Sequence, residues 1–295
     1  MVYVLYNTIA GAHYGVEKIR AKMLEFFKGE EISLANALTV EDKKLFIQAM
    51  DVDDRLVIVG GDGTLNRFVN SIEDREYPFP IYCYAGGTGN DFINDVSGVD
   101  SDGLVVINDY IKNLPTIEVN GKSYKFLNGI GYGIDGWCCE EGNRYRDKTG
   151  KAPNYTNIAL KGLLGKFKTV SAKVTIDGVR SEWENVWMVP TMNGRYFGGG
   201  MMITPSQDRL NEKKNLSMVV VHAKSRLKLI AVFPKIFKGN HVTHTDIFKL
   251  FEGKSIDVEF DRPVALQIDG ETVLGVTKYK AYSAAYIKEN TEVTV

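Results

Sequence analysis

Two glycine-rich loops and one carboxylate pair are the residues of this chain whose types and spacing can do chemistry. The first loop, Gly60-Gly61-Asp62-Gly63-Thr64-Leu65-Asn66, follows directly on the apolar run Leu56-Val57-Ile58-Val59 and leads into a helical pattern. Glycines at a strand end let the backbone turn sharply and come close to a ligand. The helix start beyond them offers unpaired N–H groups and positive partial charge, which suit a phosphate. The spacing is neither the dinucleotide Gly-x-Gly-x-x-Gly nor the Walker A pattern, which needs Lys and then Ser or Thr. Taken alone, the loop also fits a tight strand-to-helix turn that binds nothing.

The second loop weighs against that bland reading. Ala85-Gly86-Gly87-Thr88-Gly89-Asn90-Asp91-Phe92 ends another apolar run, Ile81 to Tyr84. Two such loops on neighbouring parallel strands converge outside the carboxyl ends of the sheet, where open α/β folds bind ligands. Asp62 and Asp91 then place carboxylates beside the phosphates, and their repulsion calls for a divalent cation, Mg²⁺. Asn66 and Asn90 add amide donors, and a helix N-cap is the competing role for Asp91. The carboxylate pair lies far downstream, in Gln267-Ile268-Asp269-Gly270-Glu271. Asp269 follows a strand and precedes Gly, so it is expected exposed in a turn, able to take a proton from an alcohol. Glu271, two residues on, points to the same side if the backbone stays extended. The competing reading is a plain hairpin turn, for which Asp-Gly is a strong signal.

The elements that must position these residues divide into two sets. In the first third, strands are expected at Met1 to Tyr6, Arg55 to Val59 and Pro80 to Tyr84. Helices are expected at Val16 to Phe27, Val40 to Met50, from a Thr64 cap to about Ile72, and at Leu104 to Asn113. That alternation implies a parallel sheet with helices on both faces. From Thr116 onward short β segments with Asn120-Gly121 and Asp177-Gly178 turns dominate, interrupted by helical stretches at Tyr155 to Phe167 and Leu227 to Phe237. Those two stretches mix apolar and basic residues, which fits an interfacial helix or a core helix with a solvated basic face. Arg144, Arg146, Lys148 and Lys151 read as a surface loop. His241 and His244, spaced i, i+3 without a further ligand nearby, read as surface residues.

Composition narrows the classes. The 295 residues are 44% hydrophobic and 25% charged, a globular balance with room for two domains. A formal net charge of -1 gives no field to steer the molecule to nucleic acid. No apolar run reaches the length of a spanning helix, and Met1 to Ala10 reads as a buried strand rather than a signal segment. Cys83, Cys138 and Cys139 cannot make a disulfide framework, so a reducing, cytoplasmic setting is expected.

With these residues in view, the sequence resembles the diacylglycerol kinase catalytic-domain family, which includes bacterial soluble lipid kinases and sphingosine and ceramide kinases. The two glycine motifs and Gln267-Ile268-Asp269-Gly270-Glu271 carry the likeness. Phe126-Leu127-Asn128-Gly129-Ile130-Gly131-Tyr132-Gly133-Ile134-Asp135, Gly198-Gly199-Gly200-Met201 and Thr204-Pro205 extend it along the chain. The first motif alone would not separate this family from NAD kinases. The resemblance implies an α/β, phosphofructokinase- or NAD-kinase-like nucleotide domain over residues 1–115, rejoined by a last strand at 287–295. It also implies an all-β sandwich over 116–286, with the active site in the cleft between the two.

It further implies ATP and Mg²⁺ as cofactors and a lipid hydroxyl, by default that of diacylglycerol, as acceptor. Nucleotide contacts would come from Asn7 and the loop through Gly11, from Gly60, Gly61, Gly63 and Thr64, and from Gly87, Thr88 and Gly89. Asp269 would be the base, and Glu271 would bind Mg²⁺ or orient Asp269. Asp135 is a weaker second-domain candidate. Two departures matter: Asn7-Thr8 replaces the usual Asn-Pro, and Asn211-Glu212-Lys213-Lys214-Asn215 replaces an Asp-Gly, so a structural Mg²⁺ site in the second domain is not expected. A peripheral membrane location follows from a lipid acceptor, and a homodimer stays among the states open to the chain. The rivals are a kinase of a non-lipid alcohol such as NAD and a silent lipid- or nucleotide-binding regulator.

Overall fold

A run of apolar and β-branched residues opens the chain as a strand, and in the computed structural model it is the first of ten elements among the described residues of one compact unit. Residues 1–7, 15–86, 89–97, 103–151 and 153–292 are described. The chain divides into two units, Met1–Leu114 and Pro115–Val295. The first contains β1 (Val2–Tyr6), α1 (Val16–Phe26), β2 (Ile32–Asn36), α2 (Lys43–Gln48) and β3 (Arg55–Gly60). These are followed by α3 (Asp62–Ser71), β4 (Ile81–Ala85), α4 (Asp91–Ser97), β5 (Leu104–Val106) and α5 (Asn108–Ile111).

The sheet order is β2-β1-β3-β4-β5. The first four strands are parallel, with Val4 beside Leu34 and Val57, and Ile58 beside Cys83. Leu56, Val57, Ile58 and Val59 are all buried, as expected of a central parallel strand covered on both faces. On one face α1 sets Ile19, Met23 and Phe27, four residues apart, against Val2, Val4, Val57, Val59 and Tyr84. Leu65, Phe68 and Val69 of α3 are buried as well.

Three local expectations are corrected. The segment Ile32–Asn36 is an edge strand that the pattern did not announce. The helix expected over Val40 to Met50 starts at Lys43, because the Asp42 carboxylate accepts the N–H groups of Lys44 and Leu45 at 2.9 and 3.0 Å. Leu104 to Asn113 does not form one helix. Leu104-Val105-Val106 pairs antiparallel with β4, Tyr82 opposite Val106, and only Asn108–Ile111 is helical. The Asn108 amide accepts the Ile81 N–H at 2.8 Å and donates to the Phe79 carbonyl at 2.9 Å, stitching the strand start to the helix.

The second unit contains β6 (Thr116–Val119), β7 (Lys122–Lys125), β8 (Gly129–Tyr132), α6 (Ile134–Thr149), α7 (Tyr155–Lys161), β9 (Val170–Ile176), β10 (Val179–Met188) and β11 (Thr191–Met192). After these come β12 (Tyr196–Phe197), β13 (Met201–Met202), β14 (Leu216–His222), α8 (Arg226–Val232), β15 (Phe248–Gly253), β16 (Ser255–Ile268), β17 (Glu271–Tyr282) and α9 (Ala284–Glu292). The large antiparallel sheet folds back on itself through β16. Its first half pairs with β9 at Ile256 to Phe260, and its second half pairs with β8 at Leu266 to Ile268. Ser255–Ile268 is thus one strand, bent where its register to β17 shifts between Glu259 and Val264. Pro263, which has no N–H to give a ladder, sits in that irregular stretch. The inward residues form one core that includes Tyr132, Trp187, Phe248 and Tyr279.

Further expectations fail here for identifiable reasons. The basic cluster at Arg144 to Lys148 is the last part of the sixteen-residue α6, not a loop. Its apolar periodicity is weak because Gly136 and Gly142 let the helix lie tight against the Ala265 carbonyl and the Tyr155 ring. His241 is fully buried, its Nε2 3.0 Å from the Ile203 carbonyl oxygen and its ring edge-on to Phe248. Ala284–Glu292 is helix α9, where the resemblance implied a strand over 287–295, and residues 293–295 lie outside the described residues. The Ser283 hydroxyl accepts the Tyr286 N–H at 3.2 Å, Tyr286 stacks on Tyr282, and Lys254 pairs with Glu289 at 2.5 Å. No helix among the described residues is long and apolar enough to cross a membrane.

Candidate functional site

In the first unit, the end of β1 at Asn7 and the described parts of the loops after β3 and β4 are tied together at the carboxyl edge of the parallel sheet. Gly86 donates its N–H to the Gly60 carbonyl at 3.0 Å. A Cβ on Gly86 would come within 3.2 Å of the Gly60 nitrogen, and one on Gly60 within 2.6 Å of the Thr64 side chain. The Thr64 side chain leaves no room for a Cβ at Gly60, the Gly60 backbone crowds one at Gly86, and neither glycine has a positive φ. The Asn7 amide crosses from the end of β1 and donates to the Thr64 hydroxyl at 3.1 Å. Both side chains are buried, as are those of Asn66 and Asp91.

Gly61, not Thr64, is the N-cap of α3, so Asp62, Gly63 and Thr64 occupy its first turn. That turn presents orphan backbone donors and the positive end of the helix dipole. Asn66 lies one turn further on and accepts the Asn70 amide at 3.3 Å. Gly89 and Asn90 lead into α4, Asn90 in the left-handed region at φ 49°. The sequence-predicted Gly11, Gly87 and Thr88 lie outside the described residues. A cavity of about 140 Å³ opens beside Asn7 and Thr64 and is also lined by Lys43 and Arg67. Those two cations were missed in the sequence. Arg67 directly follows the first glycine motif, and its charge there was the signal that could have found it.

The Asp62 carboxylate, expected beside Mg²⁺, also holds the neighbouring loop. The Asp62 side chain accepts the backbone N–H groups of Asp91 at 3.0 Å and Phe92 at 2.8 Å, one on each oxygen. It caps α4 from the neighbouring loop, which ties the first glycine motif to the Asp91-Phe92 end of the second. Among the described residues no group of three or more His, Cys, Asp or Glu is placed to hold a metal ion.

In the second unit, Asp269 and Gly270 are the two central residues of the β16–β17 hairpin, with φ of 46° and 90° and Ile268 opposite Glu271. This is the primed turn that Asp-Gly favours. Asp269 is buried, contrary to the exposed position expected for it. Its carboxylate accepts three backbone N–H groups, from Leu127 at 2.6 Å, Asn128 at 2.8 Å and Gly129 at 2.9 Å. Arg209, missed in the sequence, grips the same strip from its other side through the Leu127 carbonyl and the Asn128 side chain, each at 2.5 Å. Glu271, by contrast, is exposed at the start of β17.

The turn has a second support. Gln267 accepts the Gly270 N–H at 2.5 Å and donates to the Asp135 carboxylate at 2.8 Å. Asp135 lies in the first turn of α6 over Gly131, where a Cβ would fall 1.6 Å from its Oδ2. Burial pushes the Asp135 carboxyl up to about 6, against a smaller opposing effect of the Gln267 hydrogen bond. Burial likewise pushes the Cys83, Cys138 and Cys139 thiols up, so none is disposed to be a nucleophile.

Comparison with known proteins agrees with this layout. Residues 1–116 match the diacylglycerol kinase catalytic domain, and residues 128–281 match the YegS C-terminal NAD kinase beta sandwich-like domain. A diacylglycerol kinase of Mycobacterium tuberculosis (strain CDC 1551 / Oshkosh) is 25% identical over 70% of this chain and 67% of its own. A Staphylococcus aureus (strain Mu3) protein with a provisional lipid-kinase name is 28% identical over 77% of this chain and 73% of its own. A crystal structure from Bacillus anthracis (Sterne), provisionally named a diacylglycerol kinase, covers 97% of this chain and 95% of its own at 21% identity, with a TM-score of 0.67, and shares the fold. The phosphate-type loops on the α/β unit and the matched domains on both units lead to one assignment: the chain belongs to the diacylglycerol kinase family, enzymes that transfer phosphate to an alcohol.

Proposed function

We propose that the chain transfers the γ-phosphate of ATP to the hydroxyl of a membrane lipid, diacylglycerol, giving phosphatidic acid, while peripherally bound to a membrane in the cytoplasm. The observation that carries the nucleotide half is the cross-linked set of loops, Gly60 to Gly86, Asn7 to Thr64 and Asp62 to the start of α4. Phosphoryl transfer demands positioning and charge neutralisation above all, and a rigid rim of backbone donors supplies both. In this reading the amides of Gly61 and Gly63 and the Thr64 hydroxyl hold phosphates, with Asn7, Gly60, Asn66, Gly89 and Asn90 around them. Lys43 and Arg67 add positive charge from the cavity wall. Gly11, Gly87 and Thr88 keep the roles that the family resemblance gives them. Mg²⁺ would enter as counter-ion of the nucleotide phosphates.

The two downstream carboxylates take different parts. A base must offer an oxygen to the acceptor hydroxyl. Asp269, the base that the resemblance names, is buried, and the three backbone N–H groups it accepts fix the turn and the Leu127 to Gly129 strip. Glu271 lies exposed two residues later. Glu271 then removes the hydroxyl proton as the alkoxide oxygen bonds to the γ-phosphorus, and the bond to the bridging oxygen of ADP breaks. A screen with radiolabelled ATP against lipid micelles, NAD and sugars tests the acceptor, and turnover confined to the water-soluble alcohols would sink the lipid assignment.

A further inference from the structure

The chain is nearly neutral, yet two stretches contain no Asp or Glu at all: residues 148–176 and 213–245, which together carry thirteen of its 36 Lys and Arg. The helical parts of these stretches lie against each other in the second unit. The Arg226 guanidinium, at the start of α8, reaches the carbonyls of Leu163 and Phe167 at 3.5 and 3.3 Å. Each segment sorts its apolar residues into two sets. Leu163, Phe167, Leu229, Val232 and Ile236 are buried in the core. Leu160, Leu164, Leu227 and Phe237 instead point outward, Leu164 67% and Leu227 80% exposed. A core-packing role accounts for the first set and leaves the second unexplained.

The exposed leucines are flanked by Lys161, Lys166, Lys168, Lys224 and Lys228, all on the surface. Lys228 meets the Asp246 carboxylate and Lys173 meets Glu259 at 3.9 Å, so the patch is not wholly uncompensated. What remains is a set of large apolar side chains standing out among cations. That combination matches a bilayer surface, where apolar groups enter the acyl boundary and Lys and Arg meet anionic headgroups.

We propose that the outward face of α7 and the turn after it, together with α8 and the turn after it, is the surface by which this protein docks on anionic phospholipid. The proposal rests on the lipid-kinase reading for its purpose, but not for its geometry. Leu160 and Leu164, one helical turn apart, and Leu227 form the inserting residues, and the neighbouring lysines set the preference for negative headgroups. The surrounding buried leucines anchor these segments to the sheet, so docking needs no rearrangement of the core.

Co-sedimentation with phosphatidylcholine vesicles, with and without phosphatidylglycerol, tests it. The wild-type protein is expected to partition onto the anionic vesicles and to be released by salt. Leu164→Ser with Leu227→Ser should lower the partition coefficient roughly tenfold or more, from lost apolar insertion. Lys161→Glu with Lys166→Glu should lower it roughly fivefold per charge and weaken its salt dependence. Unchanged vesicle binding in both double variants, or no binding by the wild type, overturns the proposal. Activity on dispersed short-chain diacylglycerol, measured in parallel, separates the two ideas. Variants that lose vesicles but keep this activity support docking. A wild type that binds vesicles yet phosphorylates no lipid sinks the kinase reading and leaves the docking surface standing.

Discussion

Replacing Asp135 by Asn should make the second unit more stable in mild alkali and no more stable in acid. Burial raises the Asp135 carboxyl to about 6 from its ordinary 3.8. A displacement of about two pH units corresponds to about 3 kcal/mol between the two protonation states. The direction follows from proton binding: between about pH 4 and pH 6 the folded protein holds a proton that the unfolded chain has released. The stability that this group contributes is therefore complete below the ordinary carboxyl value and is lost as pH rises through about 6. The substituted amide cannot titrate, and its oxygen can still accept the Gln267 amide. Allowing about 1 kcal/mol for the weaker neutral hydrogen bond, the variant gains about 2 kcal/mol near pH 8 and nothing near pH 4.5. Urea unfolding at the two pH values measures this directly. All three tryptophans, Trp137, Trp183 and Trp187, lie in the second unit, so their fluorescence follows that unit alone. A stability difference independent of pH, or a variant weaker near pH 8, would refute the reasoning.

Other consequences concern the glycine loops and the turn. Gly60→Ala places a methyl group 2.6 Å from the Thr64 side chain, and should cost about 1–3 kcal/mol in thermal unfolding while weakening ATP binding. Asp62→Asn leaves one oxygen for two α4 N–H groups and should destabilise the first unit by about 1–2 kcal/mol. An Asp62→Asn protein of normal stability that needs much more Mg²⁺ for activity would instead make Asp62 a metal ligand. Asp269→Asn turns an amide toward the three backbone donors of Leu127, Asn128 and Gly129. It should lower the stability of the second unit in urea by about 2–4 kcal/mol, a loss that Glu271→Gln does not share.

Much of the first unit was legible because its signals are local. Continuous apolar runs ending in glycine announce buried parallel strands, and Gly60 and Gly86 are where two backbones meet. The job of Asp62 was not legible, since its partners belong to the next loop and only the folded sheet brings them within 3 Å. The same holds for Asp269. Its Asp-Gly dipeptide foretold the hairpin correctly, but the three N–H groups that bury it come from a strip 140 to 142 residues away in sequence. Helix α6 escaped notice because Gly136 and Gly142, which let it pack closely, also weaken its helical pattern. The C-terminal helix was obscured by the family expectation of a returning strand, although Ser283 followed by Ala284-Ala285 is a cap followed by good helix formers.

The central claim is that this chain phosphorylates a lipid alcohol with Glu271 as the base, and phosphate transfer from radiolabelled ATP to diacylglycerol in micelles tests it most directly. Wild-type protein should form labelled phosphatidic acid. Glu271→Gln, with an unchanged urea midpoint and unchanged ATP binding, should lose about a hundredfold or more of that rate. Full activity in Glu271→Gln would remove Glu271 from the mechanism, and label appearing only in NAD or a sugar would overturn the lipid kinase assignment itself.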